Sequence, residues 1–215
     1  MPLHTADALI LRTYKLGEAD RIVVFLTRDR GKKRGVAKGA RRQRSKFVGS
    51  LESLTEVKVA YFEKEGRELV GLNYAETVRS PLSIVGEGIS YVGYFAELLD
   101  EWAQDADADE RLYRLGVSML EALTAQAPVE PLARYFEYWL LRLQGVYPES
   151  RGTLSPGALA FLTASRSVAP HRVGDVPVDG RVLRELENAH RALITMHLEK
   201  TLKSDRVLRD LRRHA

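Results

Sequence analysis

The spacing of the hydrophobic residues changes once along this chain, close to Ser80. Before that point, short β-branched runs alternate between two faces. In Leu54–Phe62, for example, Val57, Val59 and Tyr61 are expected on one face of a strand. After that point, apolar residues recur every three or four positions, as on one side of a helix. This switch predicts an α+β fold in which a β domain is followed by a mostly helical domain.

The first part of the chain is expected to form a small barrel. Five strands within about 80 residues are typical of an OB-fold β-barrel, and a five-stranded SH3-like barrel is the structural alternative. We therefore divide the chain into an OB-fold nucleic-acid-binding domain at residues 1–79 and a helical domain at residues 80–215. The predicted strands are Thr5–Tyr14, Arg21–Thr27, Lys32–Lys38, Leu54–Phe62 and Glu68–Val78.

The second part of the chain carries several amphipathic stripes. Ser80-Pro81 is a good helix start, and Gly145 and Pro148 close the third helix. A solvated linker is expected at Asp105–Glu110 and a loop at His171–Asp179. The predicted helical segments are Ile84–Ala103, Leu112–Leu123, Tyr135–Leu143, Leu154–Ala164 and Arg181–Lys203, with Ser204 and Asp205 capping a last basic helix.

The charge of the chain is segregated. Residues 1–50 carry 13 Lys/Arg and 4 Asp/Glu, residues 51–149 carry 8 and 18, and residues 150–215 carry 12 and 7. A basic beginning suggests contact with a polyanion, and the acidic middle suggests a second role. No apolar run approaches the ~18 residues of a membrane span, and the chain has no cysteine, which agrees with cytosolic residence.

The strongest chemical feature is the basic segment Arg28–Lys46, which holds ten Lys/Arg, a single acid and three glycines. Guanidinium groups bind phosphate oxygens in bidentate fashion, and small residues let a phosphate chain approach the backbone. A solvated basic loop is the plainer explanation, but the charge density in a barrel favours nucleic-acid binding. Such barrels also stack bases on aromatic rings, for which the candidates are Tyr14, Phe25, Phe47, Tyr61 and Tyr74.

Catalysis finds little support in the sequence, and we expect no enzyme and no cofactor. No nucleophile elbow and no phosphate-binding P-loop is present. Asp105–Glu110 could be taken for the cation site of a metal-dependent nuclease, but its interleaved alanines favour a linker. His190 and His197 lie about 10 Å apart along one helix, too far for one metal ion without a third ligand.

The segment Ala133–Tyr147 is the most aromatic of the chain. Most of its apolar residues are expected in a helix-bundle core. Tyr135, Tyr138, Trp139 and Arg142 cannot all be buried by one stripe, so this helix could also present an aromatic groove to a partner peptide.

At several places in order along the chain, the sequence resembles the RecO family of bacterial recombination mediators. No single piece is diagnostic, but the ordered set covers nearly the whole chain. The pieces are Ala8–Arg12, Gly17–Val23, Val36–Arg42 with Ser45, Arg134–Glu137 with Leu140-Leu141 and Gly145, Leu154–Leu159, and Leu202–Ser204.

The resemblance implies an OB-fold with a helical domain, and a protein that binds single- and double-stranded DNA. It further implies annealing of complementary strands and help in loading the RecA recombinase onto strands coated by single-strand-binding protein. The implied partners are RecR and the acidic C-terminal tail of the single-strand-binding protein. The implied location is the cytoplasm, at the nucleoid. The alternative function is an OB-fold RNA-binding or ribosome-associated protein.

Two sets of residues are expected to form binding sites, one for the tail peptide and one for DNA, whereas a metal site is not expected. Many family members carry a four-cysteine zinc module, but here only Glu149–Thr153 lie between the flanking motifs, so we expect no metal. The tail peptide would need an apolar wall and a cation for its carboxylate, which are assigned to Arg134, Tyr138, Trp139 and Arg142. The residues expected to contact DNA are Arg12, Arg21, Lys32, Lys33, Arg34, Lys38, Arg41, Arg42, Arg44 and Lys46.

Overall fold

The computed structural model describes residues 2–148, 154–204 and 207–208 of the 215-residue chain. Contacts between residues divide it into two compact units, which are described separately. The barrel unit consists of Met1–Ser83 and Val92–Leu120, and the helical unit consists of Ile84–Tyr91 and Glu121–Ala215. Residues 92–120 therefore belong with the barrel by contact, although the boundary expected from the sequence lies between residues 79 and 80.

The described residues form five long strands and five α-helices, in the order expected from the change of hydrophobic period. Short 3₁₀ turns lie at Pro81–Ser83 and Pro170–Asp175. The strands are β1 (Leu3–Leu16), β2 (Asp20–Thr27), β3 (Gly31–Ala37), β4 (Glu56–Phe62) and β5 (Leu69–Arg79); the helices are α1 (Gly88–Trp102), α2 (Glu110–Thr124), α3 (Val129–Leu143), α4 (Pro156–Ala164) and α5 (Gly180–Leu198).

The five strands close into a barrel in the order β1-β2-β3-β5-β4. All neighbours pair antiparallel except β3 and β5, which are parallel. The long β1 pairs with β4 through its first half and with β2 through its second half, and a bulge lies between Ile10 and Arg12. This order is that of an OB-fold, which confirms the predicted fold class against the SH3-like alternative.

The barrel core is built from the inward face of each strand. Val57, Val59 and Tyr61 of β4 are buried as predicted, and the ring of Tyr61 meets Phe25 edge-on at 5.7 Å. On the outer side, Leu9 is also fully buried. A Cβ added to Gly116 of α2 would lie 2.6 Å from a methyl group of Leu9, so a larger residue there would force this buried side chain to move. Packing against helix α2 explains why β1 has buried residues on both faces.

In the helical unit, α5 packs on α3 and α4. Ser155 begins α4 by accepting a hydrogen bond from Ala158 N–H, and its own N–H and hydroxyl both donate to the Glu185 carboxylate at 2.6 Å. Gly157 allows close packing, because a Cβ there would meet Val182 at 2.9 Å. The predicted Leu-Ser-Pro-Gly motif therefore joins α4 to α5.

Several predicted boundaries were wrong. Ser80 does act as a cap, since its Oγ accepts from Leu82 N–H, but only a 3₁₀ turn follows. Gly86 has a φ of +63°, and α1 begins after it rather than at residue 84. Helix α5 ends at Leu198 instead of Lys203, because Glu199 takes a left-handed conformation with φ 53°. The expected loop 171–179 contains a 3₁₀ turn. Asp205 and residues 149–153 lie outside the described residues.

Candidate nucleic-acid interface

The basic segment Arg28–Lys46 divides into two halves with different surroundings. The first half lies on the β2–β3 hairpin, and its cations contact carboxylates of the same unit. Arg28 donates to Glu110 Oε1 at 2.6 Å, and Lys32 Nζ lies 3.4 Å from Asp100 Oδ1. The guanidinium of Arg34 lies 3.9 Å from Asp105. These carboxylates come from the acidic middle of the chain and neutralise part of the basic segment.

Residues Gln104–Glu110, which we call the acidic strap, lie along the edge of β3. Lys32 N–H donates to Gln104 C=O at 3.0 Å, and Ala106 N–H donates to Lys32 C=O at 3.3 Å. Gly31 permits this approach: it has a φ of +67°, and an added Cβ would lie 2.4 Å from Asp107 N. The expected solvated linker is thus hydrogen-bonded to β3 at one end.

Asp100 of α1 contacts two cations that were predicted to bind DNA, Arg12 and Lys32. Its carboxylate is 3% exposed and lies 2.5 Å from Arg12 Nε. Lys32 also donates to the Asp100 backbone carbonyl at 2.7 Å. Removing a partner from a buried carboxylate is strongly unfavourable, so Arg12 and Lys32 have a clear structural role in holding α1 on the barrel.

Two other cations that were predicted to contact DNA also have hydrogen-bond partners within the barrel unit. Lys33 donates to Glu63 at 2.6 Å, and this hydrogen bond lowers the pKa of Glu63. Arg21 donates to Thr13 Oγ1 at 3.4 Å. Part of the field of Lys33 is cancelled by the Glu63 carboxylate.

The second half of the segment, Lys38–Lys46, forms the basic loop that follows β3. All five of its cations are exposed, and within the described residues none lies within 4.0 Å of a carboxylate oxygen. A phosphate chain could therefore meet them without displacing an ion pair. They are Lys38, Arg41, Arg42, Arg44 and Lys46.

The basic loop is held in place by the turn between β1 and β2. Gly39 N–H donates to Asp20 Oδ1 at 2.7 Å, and Arg41 N–H donates to Ala19 C=O at 2.9 Å. The Arg41 guanidinium also donates to Gly17 C=O at 2.9 Å. At the other end, Phe47 is buried in the barrel core. The loop is consequently ordered before any ligand binds, which reduces the entropy lost on binding.

The basic loop borders a groove of about 700 Å³ along β3, β5 and the β4–β5 turn. Its apolar lining includes Val36, Phe62 and Leu72, and Lys64 and Arg67 supply cations from the turn. In OB-folds, this turn and the face of the middle strands bind oligonucleotides. Lys64 and Arg67 were missed from the sequence because they lie in Glu63–Glu68, where acids outnumber bases and hide the cations.

The candidate stacking residues separate clearly by exposure. Phe25, Phe47 and Tyr61 belong to the core, and burial raises the pKa of Tyr61 to about 12 from the ordinary 10.0. Tyr14 and Tyr74 are exposed on the barrel surface, and the Arg12 guanidinium lies 5.2 Å from the centre of the Tyr14 ring. Only these two of the five have a ring face that a base could reach.

The expected peptide site on α3 is largely closed. Arg134 is 4% exposed and lies 2.8 Å from Glu137 Oε1 and 3.6 Å from Glu187 of α5. His190 Nδ1 lies 3.0 Å from Glu137 Oε2 in the same buried network. The Tyr138 ring is also buried. Arg134 is thus covered because α5 packs on α3, and Tyr138 is buried beside Tyr147 and Arg166. Trp139 is half-buried and Arg142 is exposed.

No group of three or more His, Asp or Glu side chains that could hold a metal ion occurs in the described ranges. Over the same ranges, no helix combines the length and the apolar character needed to cross a bilayer.

A closed OB-fold barrel with an ordered basic loop defines the class of this protein. Residues 1–81 match the family model described as Recombination protein O N terminal, and residues 86–152 match the model described as Recombination protein O C terminal. The chain belongs to the RecO family of recombination proteins, which confirms the resemblance found in its sequence.

Curated relatives agree with this assignment. The DNA repair protein RecO of Koribacter versatilis (strain Ellin345) is 37% identical over 152 residues, which is 68% of this chain and 61% of that protein. The protein of the same name from Anaeromyxobacter sp. (strain K) is 37% identical over 142 residues, covering 65% and 56%. That of Nocardioides sp. (strain ATCC BAA-499 / JS614) is 36% identical over a 242-residue alignment, covering 94% and 97%. The chain thus spans about three fifths of the first two relatives and nearly all of the third.

Proposed function

We propose that this protein is a DNA-binding recombination mediator of DNA repair, and that its barrel unit holds DNA through the basic loop and the adjoining groove. The observation that carries the proposal is the set of five exposed cations on a loop that is already ordered by Asp20, Ala19 and Gly17. Phosphate contacts of this kind are independent of sequence, so the protein binds single and double strands without reading bases.

The proposed activity requires no covalent chemistry. Complementary strands repel each other through their phosphates, and a basic surface that neutralises both lowers the free energy of bringing them together. Base pairing then supplies the specificity. By this route the protein anneals complementary strands and assists RecA loading onto strands coated by single-strand-binding protein.

The decisive experiment compares two pairs of substitutions within the basic segment. Arg41→Gln/Arg42→Gln removes two cations without a carboxylate partner, and Arg28→Gln/Arg34→Gln removes two that contact Glu110 and Asp105. The net charge change is the same. Each phosphate contact contributes about 0.7 to the slope of log K against log salt for single strands. We expect the first pair to lower the slope by about 1.4 and the second pair by much less.

Equal effects of the two pairs, or no effect of the first in a folded protein, would contradict the assignment of the loop. Polyuridylate competing as well as DNA would favour the RNA-binding alternative. Annealing of complementary oligonucleotides should be measured with and without single-strand-binding protein, because acceleration on coated strands is what distinguishes a mediator from a simple DNA-binding barrel.

RecR and the acidic tail of the single-strand-binding protein are the proposed partners. On α3, the burial of Arg134 and Tyr138 leaves Trp139 and Arg142 as the reachable ring and cation for the tail. Fluorescence anisotropy of a labelled tail peptide should show a lower affinity for Trp139→Ala. The affinity should be unchanged for Arg111→Ala, which replaces an exposed arginine of the barrel unit. If Trp139→Ala binds as wild type does, the tail binds elsewhere, and residues around Lys203 become the next to test.

A further inference from the structure

Two arginine side chains of the helical unit converge on the oxygen of Tyr138. The Tyr138 oxygen accepts from Arg142 Nη1 at 2.9 Å and from Arg166 Nε at 2.6 Å. The carbon atoms of both guanidiniums lie within 5.8 Å of the Tyr138 ring centre. Arg142 comes from the last turn of α3 and Arg166 follows α4 directly, so two elements bring them together.

The two arginines of this cluster have no acidic partner among the described residues. Two guanidinium N–H groups already donate to the phenol oxygen of this buried tyrosine. Within residues 2–148, 154–204 and 207–208, neither arginine lies within 4.0 Å of a carboxylate oxygen. Both arginines are exposed. An anion is the group that would complete these hydrogen bonds and offset the repulsion between the two positive charges.

We propose that Arg142 and Arg166, held together by the oxygen of the buried Tyr138, form a binding site for one backbone phosphate of nucleic acid, separate from the barrel. A phosphodiester fits because its two free oxygens can accept from donors that approach from different directions. The half-buried Trp139 ring, 5.8 Å from the Arg142 guanidinium carbon, lies beside the site and can stack on a neighbouring base. This proposal rests on the DNA-binding function proposed above, and it adds a second point of strand contact.

The test is the salt dependence of single-strand DNA binding by the full chain. Because both arginines hold the same phosphate, Arg142→Gln or Arg166→Gln alone should lower the slope by less than 0.7, and the double variant should lower it by about 0.7, the contribution of one phosphate. Two independent surface cations would instead lower it by about 0.7 each and by about 1.4 in the double variant. The matched control is Arg181→Gln/Arg184→Gln, which removes two exposed arginines from α5 of the same unit and should leave the slope nearly unchanged.

Two further measurements keep the outcome clear. Tyr138→Phe retains both charges and the buried ring but removes the shared oxygen, so it should weaken binding while the protein stays folded. Inorganic phosphate should change the Trp fluorescence of wild type and not that of the double variant.

A slope lowered by about 1.4 in the double variant, or one equal to wild type, would overturn the phosphate site. Loss of tail-peptide binding with an unchanged DNA slope would overturn it as well, and would assign the cluster to the peptide. If the basic-loop variants also left DNA binding unchanged, the proposed function itself would fail. A loss confined to the basic-loop variants would refute only this second site.

Discussion

Substituting Gly31 by Ala tests how the acidic strap is attached to the barrel. Gly31 has a φ of +67°, and an added Cβ would lie 2.4–2.7 Å from the backbone of Asp107. The left-handed conformation alone costs an Ala about 1–2 kcal/mol. The strap would also have to move, which breaks the two backbone hydrogen bonds of Lys32, each contributing about 1 kcal/mol. We expect Gly31→Ala to lower the free energy of unfolding by roughly 3–4 kcal/mol.

The control is Gly66→Ala, because Gly66 also has a positive φ, +75°, but nothing lies within 4 Å of its added Cβ. That variant should lose only the conformational part, about 1–2 kcal/mol. Denaturant unfolding would be followed in a Trp139→Phe background, where Trp102 of α1, buried in the barrel unit, is the only tryptophan left. The reasoning is refuted if the two glycine variants lose the same stability.

Three other outcomes are expected. Replacing Asp105 by Asn together with Glu110 by Gln should raise DNA affinity and steepen its salt dependence, since Arg28 and Arg34 lose their carboxylates; an unchanged slope in a binding titration would contradict this. Stability should fall as pH rises from 10 to 12, because the raised pKa of Tyr61 keeps the folded state protonated after the unfolded state has ionised; alkaline melts of Tyr61→Phe should show a weaker fall. Elemental analysis of the tag-free protein should give no stoichiometric zinc, and a chelator should leave the melting temperature unchanged; one zinc per chain would contradict the assignment of residues 149–153.

The strands could be predicted well because their signal is local. Alternation alone indicates which of Val57, Lys58 and Val59 face the core, and β2 and β4 begin and end within two residues of the predicted bounds. The closing contact of the barrel, the parallel pairing of β3 with β5, has no local signal, since it joins segments on either side of β4. It followed only from the strand count and the resemblance.

The site could be predicted only in part for the same reason. Charge density identified Arg28–Lys46, but all of its cations look alike in sequence. What separates Arg28 from Arg42 is a carboxylate supplied by Glu110, far along the chain. Arg134 shows the same limit: it begins an aromatic segment that suggests an exposed helix face, yet α5 brings Glu187 against it and covers it.

The eight residues of β2 separate the two charged elements of the barrel unit. The basic loop is held at Asp20, the first residue of β2. Glu110 of the acidic strap contacts Arg28, the residue just after the end of β2. At 3.3 Å per residue, Asp20 and Arg28 lie about 26 Å apart, roughly three times the screening length of about 8 Å at physiological ionic strength. At physiological ionic strength the Glu110 end of the strap therefore adds little to the field at the loop. In dilute salt the same spacing makes the unit an electric dipole that turns an incoming strand toward the loop, so its signature is a faster encounter rather than a tighter complex.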